Sequence, residues 1–463
     1  MLFTSEAFLF LFLPFTVLIY YCLLLKHTLA KNIFLLIMSL AFYAYGEPKH
    51  VILMIVMIIL HYAFAMMIER TDGSFSKVLL ILNVLIDVLI LGYFKYSDFF
   101  ISNINQLFHT QITLLNVALP IGISFYTFQS LSYVIDVYRG TVKAQKNPLY
   151  VGLYISLFPQ LIAGPIVRYQ TIEQEIIHRK ENIKDFSIGV NRFIVGLGKK
   201  VLLANQFAVV ADAAFNASSR TVLFAWIGGV AYSLQILFDF SGYSDMAIGL
   251  GRMFGFHFLE NFKYPYISRS ITEFWRRWHM SLQTWFKDYV YIPLGGSRVK
   301  TVGRHIFNMF VVWALTGLWH GANWTFILWG LMYFVLLVLE KYLSIDKKFG
   351  SFSNQYTLLF VMLGWVLFRS DDLSSALQYF GTMIGIGSKG LCDASTLEYI
   401  QRYLIYFIAG IICCFPIIHN LNIKLRKNMI YSVLYIVAMS AILIVSIMFI
   451  FSNAYNPFIY FNF

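Results

Sequence analysis

A histidine at position 320 is the residue of this chain best suited to acid–base chemistry. It lies in the run TGLWHGANWTF, where a glycine three residues before it and another directly after it would allow a helix to break. If Arg304 marks the cytoplasmic surface, a helix from His305 to Trp319 rises only about 22 Å, short of a hydrocarbon core of about 30 Å. Burial disfavours a charged imidazole, so a neutral His320 could accept a proton there. Helix capping or packing is the alternative role.

A second histidine, His279, stands in a basic segment that could bind an anionic ligand. The neighbouring Arg276, Arg277 and Lys287 suit the phosphate groups of a donor such as a coenzyme or a phosphopantetheine arm, because guanidinium and ammonium groups pair with phosphate. An ordinary patch of cytoplasmic positive charge is the competing explanation. His279 itself either helps to hold such a ligand or anchors an interface.

Other polar positions favour structural explanations. His61 lies within an apolar run and is expected to be a hydrogen-bonded helix partner, whereas His305 is expected to be an ordinary water-exposed histidine. Asp239 and Asp245 fall in an apolar segment and need partners there, either arginine or hydroxyl groups.

The composition of the chain and the absence of common catalytic motifs exclude several classes of protein. Of 463 residues, 59% are hydrophobic and only 13% charged, too few to cover the surface of a water-soluble protein of this length. The net charge of +12 fits basic cytoplasmic loops better than nucleic-acid binding. The chain has no nucleotide-binding fingerprint, no HExxH and no GxSxG, and its four cysteines lack a zinc spacing. We therefore expect a membrane protein without a metal or a bound cofactor.

The fold class predicted is an all-α polytopic membrane protein. A membrane-spanning helix needs about 20 apolar residues, and roughly eleven runs approach that length. The predicted spans are 7–25, 31–47, 50–69, 77–97, 112–138, 149–166, 221–250, 323–341, 355–369, 402–419 and 429–451. The segment 186–216 is less certain because charged residues interrupt it. No internal repeat or linker is visible, so residues 1–463 are expected to form one domain.

Loop charges orient these spans. Basic residues gather in alternate loops, which the positive-inside rule assigns to the cytoplasm, and this places the N-terminus outside. Lys424, Arg426 and Lys427 then lie in the cytoplasm, and the tail 452–463 lies on the outer face. Within the basic segment 263–304, Phe274 and Trp278 recur at helical spacing, which predicts an interfacial or re-entrant helix.

Several long blocks of the sequence resemble the membrane-bound O-acyltransferases, in particular their bacterial alginate O-acetylation branch. The blocks are FDFSGYSDMAIGLGRMFGF, ENFKYPYISRSITEFWRRWHMSLQTWFKDYVYIPLGG and LTGLWHGANWTFILWG, with ALPIGISFYTFQSLSYVIDVYRG and LFPQLIAGPIVRYQ before them. The resemblance implies a helix bundle around a central tunnel. It also implies that His320 is the catalytic histidine and that His279 occupies the second characteristic position of the family.

The resemblance further implies an activity. A cytoplasmic acyl thioester such as acetyl-CoA would be attacked inside the tunnel, and the acetyl group would pass outward to an envelope polysaccharide, either an alginate-like exopolysaccharide or peptidoglycan. The C-terminal NPFIYFNF resembles an aromatic motif of this branch, in which Tyr460 would take up the acyl group and pass it to an extracytoplasmic acetyltransferase partner. An aromatic anchor at the bilayer surface is the other explanation for Tyr460. The expected location is the bacterial cell membrane.

Two alternative functions stay open at this point. Within the family, the chain could transfer D-alanine to teichoic acid, although a C-terminal aromatic motif in the same chain favours acetylation. Outside the family, composition alone suggests a secondary transporter, but transporters usually contain paired halves and none is visible here.

Overall fold

The computed structural model describes residues 1–23, 27–425 and 427–452, and throughout these ranges the regular structure is helical. The shorter elements include two helices of seven residues each in the basic segment. The principal helices are α1 Ala7–Cys22, α2 Thr28–Gly46, α3 His50–Glu69, α4 Gly73–Phe108, α5 Ile123–Tyr138, α6 Pro148–Ser156, α7 Phe158–Leu161, α8 Tyr169–His178, α9 Ile183–Asn216, α10 Val222–Met253, α11 Ile271–Arg277, α12 Met280–Phe286, α13 Val302–His320, α14 Trp324–Leu343, α15 Gly350–Arg369, α16 Leu373–Met383, α17 Ala394–Cys413, α18 Ile417–Leu425 and α19 Met429–Phe451.

Eight helices in the described part of the chain are long and apolar enough to cross a membrane, or nine if the bent pair α17 and α18 forms one span. The all-helical, multi-span prediction is therefore confirmed. The less certain segment 186–216 is part of the long helix α9, which meets this test. The prediction of roughly eleven spans exceeded this number because three of its apolar runs contain no helix of spanning length among the described residues, which exclude residues 24 and 25 of the first run.

Those three runs show why hydropathy overestimated the number of spans. The first, 7–25, contains the shorter apolar helix α1. The predicted span 112–138 begins with residues outside any helix, and α5 starts only at Ile123, after a left-handed Gly122 with φ of 76°. The predicted span 149–166 breaks at Leu157 between α6 and α7, and Pro159 is the second residue of α7. In the second and third runs, glycine and proline thus lie at breaks in helices that the apolar composition alone would have continued.

Side-chain caps fix where several helices begin. Thr301 accepts a hydrogen bond from the backbone N–H of Arg304 at the start of α13, and Asn323 accepts one from Thr325 at the start of α14. Asp372 and Asp393 cap α16 and α17 in the same way. Each such cap pairs a backbone donor that the first helical turn leaves without an intrahelical acceptor.

The chain divides into two compact units. The first comprises residues 1–193 and 246–259, and the second comprises residues 194–245 and 260–463. The first unit buries a polar cluster in which Arg179 Nε lies 2.8 Å from the hydroxyl oxygen of Tyr20 and Lys31 Nζ lies 3.0 Å from Glu181 Oε1. The prediction of a single domain over 1–463 stays a prediction.

His61 in the first unit has the structural role expected of it. Its Nδ1 lies 2.7 Å from the carbonyl oxygen of Met57, and its Nε2 lies 3.1 Å from Asp87 Oδ2 on the neighbouring helix. Both side chains are buried. His61 therefore joins α3 to α4 by hydrogen bonding.

Two lysines of α9 pair with the aspartates of α10. Lys200 Nζ lies 2.7 Å from Asp239 Oδ1, and both side chains are at least 95% buried. Lys199 Nζ lies 2.6 Å from Asp245 Oδ2. The expectation that these aspartates need partners is confirmed, and lysines, which were not among the predicted partners, pair with both of them. These pairs compensate charges that would be costly to bury alone.

Helices α13 and α14 cross at two glycines. A Cβ atom at Gly330 would lie 2.4 Å from the carbonyl oxygen of Trp313 and 3.2 Å from the Cα of Gly317. A Cβ at Gly317 would lie 2.6 Å from the carbonyl oxygen of Phe326. Since real Cβ atoms do not approach so closely, the absence of side chains at both positions permits this crossing.

A buried carboxylate of α14 fixes the start of α11. Glu340 accepts hydrogen bonds from the backbone N–H groups of Ile271, at 2.6 Å, and Thr272, at 2.8 Å, and from the Thr272 hydroxyl at 2.6 Å. A negative charge at a helix N-terminus is favourable because the first N–H groups of the helix point toward it. Glu340 thereby holds α11 against α14.

Candidate functional site

Four elements of the second unit, α11, α12, α13 and the π-helical segment Lys287–Tyr291 that continues α12, supply most of the wall of a cavity of about 220 Å³. Helix α13 contributes Val312, Thr316 and His320, which are spaced four residues apart and so share one helix face. The wall is largely apolar. Its other lining residues are Thr272, Trp275, Arg276, Trp278, His279, Leu282, Gln283, Phe286, Lys287, Tyr291, Trp313 and Leu337.

His320 is the last residue of α13 and is 92% buried. Its ring centroid lies 4.9 Å from that of Trp319, 5.0 Å from that of Trp329 and 5.2 Å from that of Phe368. The predicted helix leading to this histidine is present. The two flanking glycines differ in effect, because the helix continues through Gly317 and ends only before Gly321.

His279 lies at a break between α11 and α12, with a left-handed backbone of φ 45° and ψ 52°. The interfacial or re-entrant helix predicted from the spacing of Phe274 and Trp278 is thus divided into two short helices, with Trp278 and His279 between them. Two backbone hydrogen bonds stabilise the bend: Lys263 N–H donates to the Arg277 carbonyl, at 2.9 Å, and Met280 N–H donates to the Asn261 carbonyl, at 3.0 Å. A left-handed backbone is unfavourable for a residue with a Cβ, so the surrounding contacts must hold His279 in place.

The imidazole of His279 is almost completely enclosed. Its Nδ1 lies 3.2 Å from Asn261 Oδ1, and its ring packs edge-on against Phe240 with centroids 4.6 Å apart. Burial lowers the pKa of His279 to about 3, because an imidazolium would lose its hydration. The side chain is therefore neutral at neutral pH.

The structure brings the two predicted histidines into one cavity. His279 and His320 both line it, and Trp319 lies beside each of them, with its ring centroid 6.0 Å from that of His279 and 4.9 Å from that of His320. Two imidazoles and a largely apolar wall in one cavity suit proton transfer, since buried imidazoles have limited contact with bulk water.

The three predicted cations separate into two groups. Arg276 and Lys287 line the cavity beside the histidines. Arg277 instead pairs with Glu273 across one helical turn, with Nη2 2.8 Å from Oε1, and donates to the Lys263 carbonyl. Adjacent residues of a helix point about 100° apart, so Arg276 and Arg277 do not face the same space.

The family of the chain follows from its relatives. Residues 143–345, which include both histidines and all three cations, match the membrane-bound O-acyltransferase family. A probable alginate O-acetylase of Pseudomonas syringae pv. tomato is 44% identical over 402 residues, covering 85% of this chain and 77% of that protein. The chain belongs to the membrane-bound O-acyltransferase family.

Other relatives of this acyltransferase carry related names. The peptidoglycan O-acetyltransferase of Helicobacter pylori is 35% identical over an alignment that covers 100% of this chain and 98% of that protein. A teichoic acid D-alanyltransferase of Bacillus subtilis is 30% identical over 271 residues, 54% of this chain and 68% of that protein. The family resemblance inferred from the sequence is confirmed, and the chain is a multi-pass membrane O-acyltransferase.

Sequence reasoning missed two residues in or beside the candidate site, Asn261 and His305. Asn261 contacts His279 but carries no motif of its own, and its role depends on the bend at that histidine. His305 was predicted to be water-exposed, but it is 92% buried. Its Nε2 lies 2.7 Å from the Tyr291 hydroxyl oxygen, and its Nδ1 lies 2.6 Å from that of Tyr342. Its position seven residues before Val312, on the cavity-lining face of α13, was the available signal.

Two predicted positions cannot be compared with this geometry. Tyr460 and the rest of the tail from residue 453, together with Arg426, lie outside the described residues. The outward orientation of the tail and the relay role of Tyr460 stay predictions.

Proposed function

We propose that this acyltransferase moves an acetyl group from a cytoplasmic thioester to hydroxyl groups of a cell-envelope polysaccharide, and that the cavity of His279 and His320 is where transfer occurs. The observation that carries the proposal is the joint placement of both histidines with Arg276 and Lys287 in one cavity. The similarity to proteins named for alginate and peptidoglycan O-acetylation supports acetyl as the group and a polysaccharide as the final acceptor.

His320 acts as the general base in this proposal. The hydroxyl oxygen of the acceptor attacks the thioester carbonyl while His320 takes up its proton. The tetrahedral intermediate collapses, the carbon–sulfur bond breaks, and the imidazolium returns the proton to the thiolate. The acetyl group changes from a thioester to an oxygen ester, so no nucleotide hydrolysis is needed. The aromatic rings around His320 exclude water that would otherwise hydrolyse the donor.

Arg276 and Lys287 bind the phosphate groups of the donor, either acetyl-CoA or an acylated carrier protein. Guanidinium and ammonium groups form charge-assisted hydrogen bonds with phosphate, and both side chains line the cavity. Arg277 has a lesser part in this binding, because Glu273 already pairs with it. The donor is a substrate in this scheme, and the reaction uses no resident cofactor.

Tyr460 supplies the acceptor hydroxyl of this transfer: its phenol oxygen attacks the thioester carbonyl and the thiol leaves. The tyrosyl ester then transfers the acetyl group to a nucleophile of an extracytoplasmic acetyltransferase partner, which regenerates the phenol. This step rests on the sequence of the C-terminal motif NPFIYFNF and on the loop charges that orient the last span. A phenol is a better leaving group than a sugar alcohol, so onward transfer from a tyrosyl ester is favourable. The cell membrane is the expected site of action.

D-alanyl transfer to teichoic acid is the less supported activity. The relative of that name aligns with about half of this chain, whereas the peptidoglycan O-acetyltransferase aligns along all of it. A transporter is no longer the first alternative, because the chain belongs to an acyltransferase family.

Reconstitution with labelled donor tests the proposal. Proteoliposomes given acetyl-CoA labelled in the acetyl group should transfer label to the protein or to an added polysaccharide. His320→Gln, which cannot serve as a base, should lose about 100-fold or more of this activity while its detergent size-exclusion profile stays unchanged. Label that accumulates in the lumen without covalent transfer, or full activity of His320→Gln, would contradict the proposal.

A further inference from the structure

Asn261 is a fully buried amide whose oxygen meets three donors or potential donors at the bend before α12. Asn261 Oδ1 lies 3.1 Å from the backbone nitrogen of Ser281, 2.9 Å from the Ser281 hydroxyl oxygen and 3.2 Å from Nδ1 of His279. The side chain has no exposed surface. Asn261 thus joins the catalytic cavity to the backbone of the bend.

The backbone of Ser281 determines which end of the amide faces the histidine. A backbone N–H can only donate, so the Asn261 atom in contact with it must be the carbonyl oxygen. That same oxygen lies 3.2 Å from Nδ1 of His279. The Ser281 hydroxyl oxygen lies farther from Nδ1, at 3.5 Å, and its proton is donated to Asn261 Oδ1 at 2.9 Å. An amide oxygen can only accept, and therefore Nδ1 carries the proton. A neutral imidazole has one N–H group, which leaves Nε2 with its lone pair.

The bend keeps this contact in register. The Met280 N–H donates to the Asn261 carbonyl at 3.0 Å, and the Gln283 N–H donates to the His279 carbonyl at 3.2 Å. The ring is also held between Phe240 and Phe262, with centroids 4.6 Å and 6.4 Å away. These contacts do not involve the Asn261 side chain, so a substitution there leaves the backbone of the bend supported.

We propose that Asn261 is a positioning residue for acyl transfer, which holds His279 in the Nδ1–H tautomer so that Nε2 accepts a hydrogen bond from the hydroxyl group that attacks the thioester. The inference rests on the proposed function, because that function supplies the hydroxyl. His279 orients the hydroxyl through Nε2, and His320 removes its proton.

An asparagine partner suits a histidine that orients the attacking hydroxyl better than one that takes up its proton. A carboxylate at this position would accept a hydrogen bond from the same Nδ1–H group and would in addition make Nε2 more basic. A neutral amide selects the tautomer with little effect on charge. His279 consequently stays an acceptor throughout the reaction, and the attacking oxygen keeps one direction relative to His320.

Nitrogen-15 histidine spectra of the full-length protein in lipid test the tautomer directly. The His279 signals are identified by their loss in His279→Gln. We expect a protonated Nδ1 and an unprotonated Nε2 in the wild type and in Asn261→Asp, which keeps an oxygen acceptor. In Asn261→Leu, which has similar size but no acceptor, we expect a mixture of tautomers. A wild-type His279 protonated at Nε2 would overturn the inference.

Acetyl transfer in proteoliposomes gives the second measurement. Asn261→Leu should lose about 100-fold in rate because an incorrect tautomer removes the acceptor nitrogen, and Asn261→Asp should recover most of that loss. The matched control is Asn308→Leu, which removes another fully buried asparagine, bonded to the Gly296 carbonyl, and should retain transfer. Wild-type rates in Asn261→Leu would overturn the inference.

The two measurements also separate this inference from the proposed function. If the wild type shows the expected tautomer but transfers no acetyl group from any thioester, the tautomer assignment stands and the proposed function fails. If Asn261→Leu does not fold, the wild-type and Asn261→Asp spectra decide the matter.

Discussion

The close crossing of α13 and α14 makes Gly330→Ala a demanding test of how the site is positioned. The added Cβ would lie 2.4 Å from the Trp313 carbonyl oxygen, whereas ordinary contacts begin near 3.4 Å, so the helices must separate locally by about 1 Å. Trp313 lines the cavity, and His320 ends the same helix two turns later. A misplacement of about 1 Å can cost about 100-fold in rate, and overpacking costs about 1–3 kcal/mol of stability.

The assay compares acetyl transfer in proteoliposomes with thermal unfolding in detergent. Gly330→Ala should lose between about 10-fold and 100-fold in rate and unfold at a lower temperature than the wild type. The control is Gly303→Ala in the same helix α13, where a Cβ meets nothing within 4 Å. Because alanine favours a helix by up to about 1 kcal/mol over glycine, this control should be at least as stable as the wild type. Equal activity of the two variants would refute the argument that the crossing positions His320.

Three further predictions concern the predicted site residues. Arg276→Gln should raise KM for acetyl-CoA by about 10-fold to 100-fold with little change in kcat, because a charge-assisted hydrogen bond to the donor is lost. Arg277→Gln should change KM little, and equal effects of the two substitutions would contradict the proposal that Arg276 binds the donor phosphates. Tyr460→Phe should abolish transfer to polymer while donor binding persists, and an acetylated C-terminal peptide should be found in the wild type by mass spectrometry; full polymer acetylation by the variant would exclude the relay. The free energy of unfolding should decrease as pH falls from about 6.5 toward 3, because burial lowers the pKa of His279 and in this range only the unfolded chain protonates its imidazole. The fall in melting temperature over this pH range should be shallower in His279→Gln.

The sequence was most informative where long apolar runs and a rare polar residue coincide. The helix that carries His320 and the hydrogen-bonded role of His61 could both be predicted, because polar groups at membrane depth need a partner or a function. The bend at His279 could not be predicted from periodicity. Phe274 and Trp278 keep helical spacing across a break that depends on backbone pairing with residues 261 and 263, more than ten positions earlier.

Short-range sequence patterns also could not show which arginine lines the cavity, or which residues pair with Asp239 and Asp245. Arg276 and Arg277 are chemically alike in the sequence, and only the position of Glu273 and the orientation of α11 distinguish them. The lysine partners of Asp239 and Asp245 lie some forty residues earlier in α9, so their pairing is a property of helix packing.

The buried pair between Lys200 and Asp239 has an evolutionary consequence. Loss of either partner alone separates the other buried charge from this counter-ion, which costs about 3–5 kcal/mol, whereas simultaneous replacement of both by apolar residues is often neutral or stabilising. We therefore expect single substitutions at these positions to be selected against, whereas the double replacement should be tolerable. Homologues should carry both charges or neither, and these two positions should covary more strongly than the surrounding apolar residues.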